Sequence, residues 1–159
     1  IERRVYLKNY YCASTPQTAF NIGLDWAAPK RWFFNVNASW LADYYVQLAY
    51  PHHEEFPEIW TVANTVEEAE EIINAWSNQE KLANNWVLNA SIGKLVYVNS
   101  KVSLNFNLSV SNILNNRNLI TNAYENPRVD TKKYNVNAYP AKYQYAQGIK
   151  VYFNVGVRF

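Results

Sequence analysis

Apolar and polar residues alternate with a period of two over long stretches of this chain. The clearest stretch is 149–159, where six apolar side chains occupy the odd positions and Lys, Tyr, Asn, Gly and Arg occupy the even ones. Successive side chains of a β-strand point to opposite faces of a sheet. The alternation therefore predicts a strand that has one apolar face and one polar face.

Four other segments repeat this pattern, and a fifth shows it weakly. The four are 18–26, 32–40, 86–92 and 102–110, and the weak one is 4–13. Together they predict an all-β fold of about six antiparallel strands. We expect these strands to be long enough for the ~9–11 residues that a tilted transmembrane strand requires.

The predicted connections between the strands alternate in length. The turns at 27–30 and 98–101 are short, whereas 46–85 and 115–146 are long. Outer-membrane barrels have short periplasmic turns and long external loops, so this asymmetry favours a barrel. A short connection around 14–16 on the external side departs from the rule.

A soluble β-sandwich alternates in the same way and is the first alternative. Asn, Ser and Gly dominate the polar positions, with few Lys or Glu, which favours a hydrated lumen over an open surface. Trp26 and Trp32 flank the first short turn on the apolar faces of their strands. This placement is typical of an aromatic girdle at a membrane interface, which we favour over two core tryptophans that close a hairpin.

The composition excludes several other classes of protein. The net charge is +2, from 15 basic and 13 acidic residues, which gives no reason to expect a nucleic-acid partner. The single cysteine, Cys12, excludes a disulfide framework within the chain, and we interpret it as a small apolar residue on a strand. No run approaches the ~20 apolar residues of a membrane-spanning helix.

The first long connection contains a helix signature. Thr65 and Glu68 fit a capping box, and apolar residues then follow at helical spacing, which predicts a short helix from about 65 to 81. The acidic run 67–71 suits the helix N-terminus better than a calcium site. We interpret His52 and His53 as residues of a solvated loop, because no third metal ligand is identifiable.

No catalytic, cofactor-binding or metal-binding motif occurs in the sequence, so we predict no enzymatic activity and no cofactor. The second long connection instead carries tyrosines beside asparagines, a combination suited to capturing a sugar or a peptide. The same residues could simply pack a long loop on itself. The substrate-binding candidates are Tyr124, Tyr134, Tyr139 and Tyr143.

Several segments resemble TonB-dependent outer-membrane receptors, in particular the SusC-like nutrient transporters. The resemblance is carried by YQYAQGI at 143–149, FNVGVRF at 153–159 and LSVSNILNN at 108–116, with STPQTA at 14–19 and NQEKL at 78–82. It implies that residues 1–159 are the C-terminal portion of a plugged barrel of roughly 22 strands. The plug and the N-terminal strands would lie in sequence outside this chain, which starts at Ile1 and contains no Met.

The resemblance also implies a function, a location and partners. The parent protein would import an oligosaccharide, a peptide or a metal chelate across the outer membrane of a Gram-negative cell, with energy from TonB. Its partners would be outer-membrane lipids, the remainder of the barrel and its plug, TonB and, as an option, a surface lipoprotein. A secreted binding module and a membrane-barrel hydrolase are the alternatives. The resemblance assigns a barrel-assembly signal to Val151, Phe153, Val155, Val157 and Phe159.

Overall fold

Five of the predicted strands pair into one antiparallel sheet in the computed structural model, which describes residues 5, 7, 9–13, 15–54, 59, 61–130, 132–133, 135 and 137–159. The chain forms two compact units. The sheet unit comprises Thr18–Ala42, Asn84–Leu119 and Tyr145–Phe159. The connection unit comprises Ile1–Gln17, Asp43–Ala83 and Ile120–Gln144.

The large sheet has the strand order β1-β2-β3-β4-β7, and all its neighbours are antiparallel. The all-β prediction is confirmed at this level. Within the described chain the sheet does not close on itself, since β1 and β7 are its two edges. The strands are β1 (Thr18–Ala28), β2 (Trp32–Ala42), β3 (Asn85–Tyr97), β4 (Ser103–Ser111) and β7 (Lys150–Arg158).

Both predicted short turns join neighbouring strands at the same end of the sheet. The β1–β2 turn is a 3₁₀ segment, Pro29–Arg31, in which Lys30 and Arg31 adopt positive φ. In the β3–β4 turn, the Asn99 side-chain oxygen accepts the backbone N–H groups of Lys101 and Val102, both at 2.8 Å. The side chain of one asparagine thus satisfies two backbone donors that have no ladder partner.

The register of the ladder brings the apolar residues of all five strands to one face. One row across the sheet is Leu24, Val36, Ala90, Val110 and Val151. The next row on the same face is Trp26, Phe34, Ile92, Leu108 and Phe153. The row between them points to the opposite face and is polar: Asp25, Asn35, Ser91, Ser109 and Tyr152.

The prediction of a sixth strand at 4–13 is wrong for the described residues of that segment. They include only an isolated bridge between Val5 and Glu54. The backbone of Tyr11 is instead paired with a side chain, because the Gln79 amide accepts its N–H at 2.8 Å and donates to its carbonyl at 3.0 Å. The side chain of Gln79 therefore supplies the hydrogen bonds that a neighbouring strand would give to Tyr11. The connection at 14–16 does not join two strands of the sheet.

The connection unit holds the predicted helix, α1 (Val66–Ser77). Thr65 caps it by accepting the Glu68 N–H at 3.2 Å, whereas the Glu68 carboxylate accepts the N–H of Asn64 at 2.9 Å. The helix ends four residues earlier than predicted, since Asn78 is already extended. Gln79 is thereby free of the helix and can bond to Tyr11.

A second, two-stranded sheet was not predicted from the sequence. Its strands are β5 (Ile120–Tyr124) and β6 (Lys142–Tyr145). One small core of the connection unit consists of Val46, Leu82 and Ala123, and a separate one lies beside α1. The residues of the second core are Ile59, Ala63 and Ala69, with Ile72 packed against them.

The substitution Gly93→Ala should destabilise the sheet unit by about 1–3 kcal/mol, because it overpacks a filled position. A Cβ atom at Gly93 would collide with the ring of Phe33, its cross-strand partner, and would lie 2.8 Å from the carbonyl oxygen of Phe106. Gly23→Ala is the matched control, since its nearest neighbour, the Asn37 side-chain nitrogen, would be 3.4 Å away. Urea unfolding measures both free energies. Equal losses in the two variants would contradict the proposed packing of Phe33 on Gly93.

Candidate functional site

The apolar face of the sheet unit is exposed along its whole width. Apolar side chains on the edge strands β1 and β7 are expected to be exposed, because each edge strand has only one neighbour. Exposed apolar side chains on the inner strands show that the face itself is open. Val36 on β2 is 43% exposed and Leu108 on β4 is 37% exposed, although each has a strand on both sides. Within the sheet unit, no described residue covers these two side chains.

Aromatic side chains mark both ends of the apolar face. At the end with the long connections, Phe20, Trp40 and Trp86 form one row, and the rings of the two tryptophans are 6.5 Å apart. Toward the turn end, the ring of Phe34 lies 5.3 Å from that of Trp26 and 6.3 Å from that of Trp32. Aliphatic residues fill the rows between the two ends: Ile22, Ala38, Leu88, Leu24, Val36, Ala90, Val110 and Val151.

Lys94 is the one charged residue of the apolar face in the described sheet, and it lies at the turn end. Its cross-strand partner is Trp32, and its ammonium nitrogen is 4.6 Å from the centre of that ring. The long aliphatic stem of a lysine can cover apolar surface while its charge remains at the edge of that surface. Lys94 therefore does not end the strand, which continues to Tyr97.

The opposite face of the sheet is a lattice of amide and hydroxyl groups. Asn21 and Asn37 exchange side-chain hydrogen bonds in both directions, at 2.8 and 2.9 Å. Asn35 donates to the carboxylate of Asp25 at 2.6 Å, and Ser109 donates to Asn107 at 2.8 Å. The asparagine and aspartate pairs join β1 to β2 and stabilise the ladder, whereas the Ser109–Asn107 bond lies within β4. All of these groups retain further donors or acceptors for water.

The four candidate tyrosines have different environments. Tyr143 is half-buried against the core of Val46, Leu82 and Ala123, and its hydroxyl group is 2.8 Å from both carboxylate oxygens of Glu80. Tyr143 therefore takes part in loop packing, and its role in binding stays a prediction. Tyr124 and Tyr139 are exposed, and their role in binding stays a prediction. Tyr134 lies outside the described residues.

The interpretation of His52 and His53 as solvated residues is wrong, because both are buried. His53 is only 1% exposed. Its Nδ1 atom is 2.6 Å from the Tyr10 hydroxyl, and its Nε2 atom is 3.1 Å from a carboxylate oxygen of Glu125. The Nε2 atom of His52 is 2.6 Å from the carbonyl oxygen of Asn126. The partners of these histidines are more than 40 residues distant in sequence, so local sequence patterns could not identify them.

Hydroxyl, imidazole and carboxylate follow one another here in the order of a catalytic triad, but the contacts are those of a structural link. The Tyr10 hydroxyl donates its proton to the backbone carbonyl of Ser77, at the end of α1. Burial, and next the charge of Glu125, raises the pKa of Tyr10, which keeps this hydroxyl protonated. A substrate could not reach the enclosed ring of His53.

Cys12 and Phe159 are both exposed in the structure. Cys12 is exposed and does not lie on a strand, so its interpretation as an apolar residue within a strand is wrong. Along β7, the stripe of Val151, Phe153, Val155 and Val157 belongs to the exposed apolar face. Phe159 follows the strand and is 97% exposed.

The substitution Tyr143→Phe should lower the free energy of unfolding of the connection unit by about 1 kcal/mol, because Glu80 loses a hydrogen-bond donor. Tyr139→Phe is the control, since its exposed hydroxyl bonds to no described residue, and it should leave stability unchanged. Thermal unfolding of both variants checks this. A loss at Tyr139 equal to that at Tyr143 would refute the assignment of Tyr143 to packing.

Comparison of the chain with protein-family models, with curated proteins and with solved structures finds no match in any of the three. Among the described residues, no helix has the length and apolar character needed to cross a membrane. The same part of the chain contains no group of three or more His, Cys, Asp or Glu side chains that could hold a metal ion.

Proposed function

We propose that the chain is the C-terminal part of an outer-membrane β-barrel that imports a nutrient with energy from TonB. The observation that carries this proposal is the uncovered apolar face of the sheet unit, bounded by aromatic rows at both ends. In this proposal the face contacts lipid, and the segment itself carries out no covalent chemistry.

The size of the apolar face supports a lipid environment. Monomeric soluble proteins seldom expose continuous apolar patches larger than a few hundred Å². The face here extends over five strands and at least five rows. Hydrocarbon chains would cover this surface, and the backbone groups between paired strands are already satisfied by the ladder, as a bilayer requires.

The dimensions of the strands fit the same environment. β1 and β2 have 11 residues each, β3 has 13, and β4 and β7 have nine each. Trp32 and Trp40, near the two ends of β2, are separated by about 26 Å along the strand at ~3.3 Å per residue. The apolar band of an outer-membrane barrel is about 25 Å tall and is flanked by aromatic girdles.

The two edges of the sheet require further strands. An unpaired edge inside a bilayer leaves backbone donors and acceptors without partners, at several kcal/mol each. β1 and β7 would therefore pair with the remainder of a barrel of roughly 22 strands, the size that the family resemblance implies. The resemblance also supplies the plug, TonB, an optional surface lipoprotein and the Gram-negative outer membrane as partners and location.

The polar face would line the lumen of this barrel. Its rows consist largely of Asn, Ser and Gly. Asp25 on β1 and Lys150, Tyr152 and Arg158 on β7 lie on the same face, so it carries charges of both signs that water can solvate. The long connections would lie outside the cell, where the exposed rings of Tyr124 and Tyr139 are candidates for contact with an oligosaccharide, a peptide or a metal chelate.

The substitution Leu108→Arg should destabilise the protein by about 2–4 kcal/mol if the apolar face contacts lipid near the bilayer midplane. Asn107→Arg is the matched control on the same strand, because its side chain points to the polar face and can reach water. Unfolding in urea from detergent micelles or lipid bilayers measures both variants.

The same pair of variants, together with solubility, distinguishes a membrane barrel from a soluble β-sandwich. A sandwich would remain folded and monodisperse without detergent, with its apolar face covered by a second sheet. Solubility of the parent protein in detergent-free buffer would therefore reject the membrane proposal. Equal damage from Leu108→Arg and Asn107→Arg would reject the assignment of one face to lipid and the other to water.

The substitution Phe159→Ala should lower the amount of parent protein in the outer membrane several-fold, if the stripe of β7 is recognised during barrel assembly. The side chain of Phe159 is almost fully exposed, so its truncation removes little packing within the described chain. Tyr152→Ala is the control, since this ring lies on the polar face of the same strand. Membrane fractionation with heat-modifiable gel mobility measures folded protein, and normal levels of the Phe159 variant would reject the recognition role.

A further inference from the structure

Lys94 is a cation without a counter-ion on an otherwise uncharged face. The ladder places it in one row with Trp32, Phe106 and Val155. A further apolar row lies between Lys94 and the turn end, and it consists of Val96, Leu104 and Val157. Lys94 is half-buried. Within the described part of the chain, no carboxylate lies within ion-pair distance of its ammonium group, and no oxygen accepts a hydrogen bond from it.

A charge in this position requires an anion from outside the described sheet. Moving an ammonium group out of water is costly unless the group is paired and hydrogen-bonded. The ring of Trp32, whose centre is 4.6 Å from the Lys94 ammonium nitrogen, offers a cation–π contact but no negative charge. In a bilayer, a lysine side chain extends its charge toward the headgroups, where the anionic group is the lipid phosphate.

The whole turn end of the sheet is electropositive. No Asp or Glu occurs at 26–34, 93–106 or 154–159, whereas these segments contain four basic residues besides Lys94: Lys30, Arg31, Lys101 and Arg158. Arg158 lies on the polar face in the row of Ser103, and the Arg31 guanidinium lies 4.3 Å from the ring centre of Tyr97 in that same row. The turn end therefore attracts anionic headgroups, and Lys94 is the strand cation on the side that would contact lipid.

An apolar groove runs along the face from Lys94 toward the middle of the sheet. Its first part, of about 240 Å³, lies beside Lys94 and is lined by Trp32, Phe106 and Phe153 among others. A second part, of about 190 Å³, shares Ile92 and Leu108 with the first and reaches Val36 and Ala90. The distance from Lys94 to Ala90 is about 13 Å at ~3.3 Å per residue, which is about half of the ~25 Å apolar band of a barrel. The groove thus has the depth of one leaflet.

We propose that Lys94 and this groove bind one phospholipid with an anionic headgroup. The lipid phosphate pairs with the Lys94 ammonium group beside Trp32, and one acyl chain lies along the groove as far as Ala90. Charge-assisted bonds of this kind are stronger than neutral ones. The inference rests on the proposed function, because it requires the apolar face to contact a bilayer, and it adds a defined site and a class of lipid.

Native mass spectrometry of the parent protein, released from micelles with equal amounts of phosphatidylglycerol and phosphatidylcholine, tests the site. Heat-modifiable gel mobility first verifies that each variant is folded. The wild-type protein should retain one phosphatidylglycerol molecule with about five-fold preference over the zwitterionic lipid, the factor that one basic residue contributes near a membrane surface. Lys94→Gln should abolish this preference, and Lys94→Arg should keep it.

Lys101→Gln is the matched control. It removes the same charge from the same end of the sheet, but Lys101 lines a cleft with the polar-face residues Ser103 and Asn105. The preference should therefore persist in this variant, and an equal loss in Lys101→Gln and Lys94→Gln would overturn the site. If Lys94→Gln does not fold, Lys94→Leu replaces it, because leucine matches the apolar neighbours. A folded neutral variant that keeps the preference would also overturn the proposal.

Fluorescence quenching locates the lipid without any change at Lys94. Phosphatidylglycerol that is brominated on its acyl chains should quench Trp32 more strongly than brominated phosphatidylcholine does. The contribution of Trp32 is the difference between the wild-type protein and Trp32→Phe. Equal quenching by the two lipids would overturn the proposal.

These outcomes separate the lipid site from the proposed function. A parent protein that inserts into bilayers but retains both lipids equally would overturn the site and leave the barrel proposal intact. A parent protein that stays folded and monodisperse without detergent would reject the barrel, and the lipid site with it.

Discussion

The antiparallel ladder of the sheet unit is the constraint on which both faces of the sheet depend. Because side chains alternate along a strand, a shift of one residue between two strands would mix the two faces. The observed pairing aligns Leu24, Val36, Ala90, Val110 and Val151 in one row without any such shift. Five amphipathic segments thereby become one surface with two chemically distinct sides.

Close packing on the polar side helps to hold this register. The ring of Phe33 occupies the space above Gly93, its cross-strand partner, where any larger residue would collide with it. A reciprocal pair of amides, Asn21 and Asn37, joins β1 to β2 on the same side. These contacts form only in the observed register. They therefore make the pairing of the strands more specific than the alternation of apolar and polar residues would alone.

The connection unit is stabilised in a different way. Its hydrophobic cores are small, with three buried residues each, and polar side chains supply much of the remaining order. Gln79 substitutes for a strand beside Tyr11, and His53 with Glu125 satisfies groups from separate segments. Buried polar networks of this type specify one arrangement strongly, because leaving any member without its partner costs more than the bond itself contributes.

Local sequence patterns determined the five long strands, the two short turns and the helix that begins after Thr65, because each depends on neighbours within a few residues. Only the tertiary structure decided those strands and those buried side chains that depend on partners distant in sequence. The described part of the weak segment 4–13 forms no strand, and at Tyr11 the side chain of Gln79 bonds to both backbone groups. The strands β5 and β6 have only five and four residues, too few for alternation to predict them. The sequence predicted a solvated loop for His52 and His53 because no third metal ligand is identifiable beside them. They are buried because Tyr10, Trp76, Glu125 and Asn126 converge on them from other segments, and no spacing rule can encode such long-range contacts.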